Sequence, residues 1–285
     1  MRVPNIIHFI FGLNEDFGNK EFSLVHYLAI RSAYELNQPD KIYFHFRYEP
    51  RSIWFEMVRP FIHMNKVDPP KEILGNKLYH FAHQADIIRL EALLTHGGVY
   101  LDIDTISVKS LVPLRNYSFA IGKQYAYSSS PLRRRIKKSV TNLNLQYLKK
   151  PVRGLCNAVI LSEPGSLFAA KWYDSYKTFR SGGVDEYWDE HSVIMPLKLA
   201  KEFPRTIQIL DAEYFHYPLH DETGLKFLFE EKRVFPKAYI HHLWESKSWD
   251  KYLSHLSVEG ISSIDTTYNL IARKYLDPHV FTNSL

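Results

Sequence analysis

The chain has 285 residues, a net charge of +5, 45% apolar and 15% aromatic residues, and a single cysteine, which excludes a disordered polymer and any intrachain disulfide. It is long enough to bury a full core as one large domain, or one domain with an elaborated half. No window approaches the roughly 20 apolar residues of a membrane span, and no nucleic-acid-binding motif accompanies the modest basic excess, which suits a nucleoside diphosphate, an anionic glycan or an anionic membrane surface.

Ile6 to Phe11 reads as a first strand, stopped by Gly12 and a polar loop through Asn19. The preceding residues lack an apolar signal core, so a cytoplasmic protein is expected. Phe22, Val25, Leu28 and Leu36 mark a helix by their spacing. Asn37-Gln38-Pro39-Asp40 breaks it, and Ile42 to Phe46 alternates as a second strand. Ser52 to Phe61 reads as a helix with Trp54, Met57 and Val58 inward, and Val67 as a minimal third strand. Strands alternating with helices predict an α/β fold with a Rossmann-like, mostly parallel sheet flanked by helices.

Residues 79–109 carry the densest signal. Phe81 to His96 holds no proline or glycine, and Ile87, Leu90 and Leu94 recur at helical spacing. Asp86 and Arg89 are three apart and share a face. Gly97-Gly98 stops the helix, and Val99 to Leu101 opens an apolar strand. Read as part of that strand, Asp102 and Asp104 point to one side of its end. Two adjacent carboxylates repel unless a cation sits between them. A hard ion, Mn²⁺ or Mg²⁺, suits such oxygen ligands. The carboxyl end of a strand in an open α/β sheet is also where ligands bind.

Phe119 to Gly122 is a further strand. Beyond it a loop leads into a basic region, 133–150, with Arg133-Arg134-Arg135, Lys137-Lys138 and Lys149-Lys150. It is a solvated surface or a contact for an anionic acceptor or a membrane periphery. Leu155 to Leu161 is a strand carrying Asn157 and a thiol, Cys156, expected to be buried and inert. Ser166 to Phe179 reads as a helix. Asp189, Glu190 and His191 could bond sugar hydroxyls of an acceptor, or the two acids could favour the N-terminus of a following helix. Ile207 to Leu210 is a short strand, and Tyr239 to Trp249 sets His241-His242 before Trp244, Lys247 and Trp249. Neighbours on a strand point opposite ways, so one of the two histidines at most faces a given ion. Ile264 to Lys274 closes the chain as a helix.

Ala85, Asp86, Arg89, Gly97, Gly98, Tyr100, Asp102 and Asp104 together resemble the DXD-containing glycosyltransferases of GT-A fold, a group with galactosyltransferases, initiating mannosyltransferases and bacterial capsular sugar transferases. The resemblance is strongest over 79–111 and fair at 3–12, 155–168 and 239–249. It implies one domain over 1–285, with a nucleotide-sugar-binding half (1–122) and an acceptor-side half (123–285). It implies a nucleotide-sugar donor, commonly UDP-linked, a glycan or glycolipid acceptor, and a divalent metal. Phe9, Ile10 and Phe11 would lie near the base. Asp104 would be the main carboxylate ligand, and Asp102 would bind ribose or metal. Arg89 would meet phosphate or donor sugar, with Asp86 orienting it or holding a sugar hydroxyl. Asn157 would face the transferred sugar or the acceptor. His242 or His241 would complete the metal shell, and Lys247 would neutralise a phosphate beside Trp249. The Gly-Pro pair that many relatives carry near 182–192 is missing, which leaves acceptor contacts open. Retention of anomeric configuration is implied by family alone. A histidine ligand must be neutral, so activity should fall as pH drops toward its pKa of about 6.5 or lower. The alternatives are a toxin-like protein glycosyltransferase or donor hydrolase, and a sugar-nucleotide-binding module without turnover.

Overall fold

The computed structural model describes residues 1–126 and 151–277. The basic cluster over 133–150 lies outside them. Among the described residues no helix is long and apolar enough to cross a membrane.

The strands are β1 (Ile6–Ile10), β2 (Lys41–Phe46), β3 (His63–Lys66), β4 (Glu72–Ile73), β5 (Asn76–Lys77), β6 (Gly98–Leu101), β7 (Thr105–Ser107), β8 (Phe119–Tyr125), β9 (Val152–Ser162), β10 (Gln208–Leu210) and β11 (Ile240–His242). Seven form the central sheet in the order β10-β8-β9-β6-β1-β2-β3. Four of its pairings are parallel. The two made by β9 are antiparallel, so β9 alone runs backwards. Two ribbons stand apart, β7 with β11 and β4 with β5.

The sheet is covered on both faces. Ile7 and Phe9 of β1 enter one apolar core, with Phe44 and Phe55. Ile10 enters the other, with Tyr100, Phe168 and Trp172. Full burial of one such side chain contributes about 1.5–3 kcal/mol. Helix α1 (Leu24–Asn37) packs on the first face, and α2 (Ile53–Val58) buries Phe55 completely. Trp54 and Met57, expected inward, are only half-buried at its flank. The third strand ends one residue before Val67, whose amide still donates to Phe46 at 2.8 Å. The helix after Ser166 stops at Ser175 and finishes as one tighter turn.

Helix α3 (Phe81–His96) spans the predicted residues. His80 caps it by accepting from the Ala82 amide at 3.1 Å. Gly97 closes it at φ 62°, and Gly98 opens β6 at φ 103°. A Cβ on Gly98 would lie 2.4 Å from the Ile6 carbonyl oxygen. Glycine is therefore needed there for both backbone conformation and the approach of β6 to β1.

A chain of polar rings crosses the sheet beside this junction. His8 Nε2 lies 2.8 Å from the Gly97 carbonyl, so it donates there. His8 Nδ1 then accepts from His45 Nε2 at 3.1 Å, and His45 Nδ1 accepts from Asn65 at 2.8 Å. The chain works only with both rings neutral, because a proton on either would set two donors face to face. Burial, opposed at His8 by the Gly97 carbonyl, lowers His8 to about 4; burial with the neighbouring rings lowers His45 to about 3. In the unfolded chain both titrate near 6.5. Between those values the unfolded state holds more protons, so stability is complete above about 6.5 and falls as pH drops below it. Urea unfolding at pH 5.0 should show a stability up to about 4 kcal/mol below that at pH 7.5. His45→Gln should flatten the dependence, and an equally steep profile in that variant would contradict the assignment.

Candidate active site

Asp102 and Asp104 do not ride on a strand. β6 ends at Leu101 and β7 begins at Thr105, so Asp102-Ile103-Asp104 is the turn between them. That turn is pinned at three points. The Asp102 amide donates to the Ala158 carbonyl of β9, and the Leu243 amide donates to the Asp104 carbonyl, each at 2.8 Å. Thr105 Oγ1 donates to the Asp102 carbonyl at 2.8 Å. The two carboxylates lie together as expected, but turn geometry, and not strand alternation, brings them there.

The β7–β11 ribbon supplies the third member. His242 pairs opposite Thr105, which sets its ring beside the turn. Nε2 of His242 lies 3.3 Å from Asp104 Oδ2, and the Glu245 amide donates to the same oxygen at 2.7 Å. Asp102, Asp104 and His242 each offer one ligand atom, all within 4.8 Å of one another. Burial pushes Asp104 up, but the His242 ring and the Glu245 amide outweigh it and hold the carboxyl below its usual range. Burial likewise favours a neutral His242, yet Asp104 raises that ring well above its ordinary value. Each group thus favours the charged form of the other. A cation drawn to the carboxylates must displace a proton to bind the ring. Proton competition therefore begins at higher pH than a free histidine would give, which corrects the expectation of about 6.5. His241 faces the other way, its Nδ1 donating to the Tyr217 carbonyl at 3.0 Å, and burial lowers it to about 4. It does not join the group.

Asp102 is held from behind by a buried polar network. Arg89 Nη1 lies 3.3 Å from Asp102 Oδ1 and donates to the Asn157 carbonyl at 2.8 Å. Arg89 Nη2 lies 3.2 Å from Asp86 Oδ1. The Tyr100 hydroxyl donates to Asp102 Oδ1 at 2.7 Å, and the Tyr100 ring lies 4.4 Å from the guanidinium carbon. The Asn157 amide donates to Asp86 at 2.8 Å. Arg89 and Asp86 are each only 6% exposed. Burial raises Asp86, against the pull of Arg89. Arg89 is thus enclosed by protein groups, where resemblance would have it meet phosphate or donor sugar. Its geometry positions Asp102 by occupying Oδ1. Tyr100 was not singled out from sequence as a site residue, although its place two before Asp102 was visible.

Cys156 is buried but not isolated. Gly122 of β8 pairs with Cys156 of β9, and the His216 ring lies over that glycine, where a Cβ would be 2.7 Å from its Cδ2. Burial pushes the thiol up, but His216 and His242 beside it bring it down to about 6. The thiol is buried as expected, with two imidazoles beside it. Nothing near Cys156 in sequence announces His216, because the contact joins residues 60 positions apart.

The remaining expected residues divide. Phe9 and Ile10 are core residues on opposite faces of the sheet, so neither reaches a base. Phe11 is half-buried, 5.7 Å from Phe17 and 5.4 Å from Phe22. Trp249 stacks on His26 at 6.1 Å with Lys20 5.1 Å over its ring. Glu245 lies 3.5 Å from both Lys20 and His26, which ties this aromatic wall to the Asp104 side. Lys247 is exposed one turn beyond Trp244. Beyond the ends of β2 and β3 opens a cavity of about 880 Å³, lined in part by Phe17, Phe22, Arg47, Tyr48 and Lys66. The proposed acceptor residues are engaged elsewhere. Asp189 pairs with Arg153 at 2.6 Å and Glu190 with Arg180 at 2.8 Å. His191 is buried, its Nε2 3.1 Å from the Ser175 carbonyl. These contacts brace the helical segment 190–202.

Comparison with known proteins fits this arrangement. A family model described as a glycosyltransferase sugar-binding region containing a DXD motif matches residues 26–125. The chain is 36% identical over 284 residues to glucan organizing enzyme 1 of Cryptococcus neoformans var. grubii, covering 98% of this chain and 72% of that protein. Its fold is similar to mouse xyloside xylosyltransferase 1 (TM-score 0.50, 12% identity, 85% of this chain and 98% of that one). It is similar also to the glycosyltransferase GlyE of Streptococcus pneumoniae TIGR4 (TM-score 0.50, 15% identity, 99% and 62%).

Removing Arg89 leaves the buried Asp86 and the half-buried Asp102 without their cation. Arg89→Leu should lose about 3–5 kcal/mol in urea unfolding, whereas Asn157→Ala should lose about 1–3. Similar losses in the two variants would contradict the central place of the guanidinium.

Proposed function

This chain belongs to the glycosyltransferases whose sugar-binding region contains a DXD motif, and on that premise we propose that it moves a hexose from a UDP-linked donor to a glycan or glycolipid acceptor. The whole chain, 1–285, is read as one domain, with the donor bound by its first half and the acceptor by its second. The convergence of Asp102, Asp104 and His242 carries the reading. Two carboxylate oxygens and one imidazole suit Mn²⁺ or Mg²⁺, and the raised His242 marks a place where positive charge is already favoured. When bound, such an ion neutralises the charge that develops on the donor's diphosphate as the sugar leaves.

The chain's own residues prepare that event. Tyr100 and Arg89 fix Asp102 before any ligand arrives, so no reorganisation is needed there. Asp104 is ionised and releases the His242 proton on loading. Asn157, half-buried and anchored on Asp86, presents its side toward the transferred sugar or the acceptor. Lys247 is free to approach a phosphate, and the cavity beyond β2 and β3, with Phe11 and Phe17 near its wall, takes the nucleoside. The acceptor oxygen then bonds the anomeric carbon while the carbon–phosphate oxygen bond breaks. The acceptor approaches on the face from which the diphosphate departs, the electron pair leaves with the diphosphate, and the diphosphate accepts the acceptor's proton, so configuration is retained. The relative's name refers to glucan, which favours a glycan over a protein side chain as acceptor.

A panel of nucleotide sugars, tested with and without Mn²⁺ for release of free nucleotide, tests this reading. One donor should turn over with metal, and Asp104→Asn should lower that rate on the order of 10²–10³-fold. Turnover that ignores metal and Asp104→Asn alike would sink the reading.

A further inference from the structure

We propose that Cys156, His216 and His242 form a second cation site, of sulfur–nitrogen character and suited to Zn²⁺, that shares His242 with the Asp102–Asp104 pair. Each residue offers one ligand atom, and the three atoms lie within 4.8 Å of one another. Cys156 is 5% exposed, His216 0% and His242 9%, so the group lies inside the protein. Neither ring nitrogen of His216 has an oxygen or nitrogen partner, and neither does Nδ1 of His242. Buried imidazole nitrogens are ordinarily satisfied. Here the Cys156 sulfur lies beside both rings, within 4.8 Å of one nitrogen of each. Thiolate with two imidazoles is a zinc donor set that leaves a fourth position open, whereas the Asp102–Asp104 side offers hard oxygens. Zinc bonds of about 2.0–2.3 Å require only a small closing movement of the three side chains.

The shared ring gives the site a consequence. His242 turns Nε2 toward Asp104 at 3.3 Å, so Nδ1 is the nitrogen left for the second site. Zinc on Nδ1 leaves a proton on Nε2, which donates to Asp104. His242 is then withdrawn from the first site, and the two ions compete for one ring. Gly122 is what admits His216, since a Cβ there would meet its Nε2 at 2.9 Å.

Co²⁺ stands in for Zn²⁺ and reports its ligands by absorption. The full chain titrated with Co²⁺, without any donor present, should develop thiolate-to-cobalt charge transfer. The chain has one cysteine, so that absorption can only come from Cys156. It should be lost on adding Zn²⁺. His216→Gln should abolish it. Absence of the absorption in the wild type would overturn the proposal, whatever the variants do. Full absorption in folded His216→Gln would also overturn it. Because no sugar transfer is read, failure here would leave the glycosyltransferase reading standing.

Discussion

Arg89 reaches from α3 across the end of β6 and meets three partners at once. Asp86 comes from its own helix, Asp102 from the turn after β6, and the Asn157 carbonyl from β9. A buried ion pair adds little net stability compared with an apolar replacement, because desolvation offsets attraction. The network's value is therefore in placement. It sets one oxygen of Asp102 in a fixed direction and makes the helix, the turn and the reversed strand a single rigid unit. Holding that unit together does not require Arg89 to touch a ligand, and Arg89 is only 6% exposed.

The second half of the site rests on the β7–β11 ribbon. Its register places His242 opposite Thr105, and the Asp104 carbonyl and carboxylate accept from the Leu243 and Glu245 amides. Two backbone amides and one imidazole thus grip one aspartate. The same aspartate raises the His242 ring above its ordinary value, so a divalent cation that took the ring would displace a proton. Behind it, Cys156 and His216 make the far side of the ring chemically different from the near side.

Much of this was legible in local sequence. Phe81 to Gly98 announced its helix, its cap and the following strand, because spacing and glycine act within one turn of chain. The alternation of elements announced the α/β layering. Long-range relations were not legible. The apolar run of β9 carries no sign of its direction, and its reversal makes the antiparallel pairings that bring Asn157 to Arg89. Asp189 and Glu190 looked free because their partners, Arg153 and Arg180, are 36 and 10 residues away. His241 and His242 were indistinguishable until the ribbon's register was known. Phe9 and Ile10 resembled wall residues, but a central strand buries both of its faces.

Crystals grown with Mn²⁺ and UDP would test the central claim most directly, through an anomalous-difference map. The account predicts a peak bounded by Asp102, Asp104 and the Nε2 side of His242, with the diphosphate oxygens on its open side. A bound diphosphate with no ion at that position, or an ion held by His241, would contradict it.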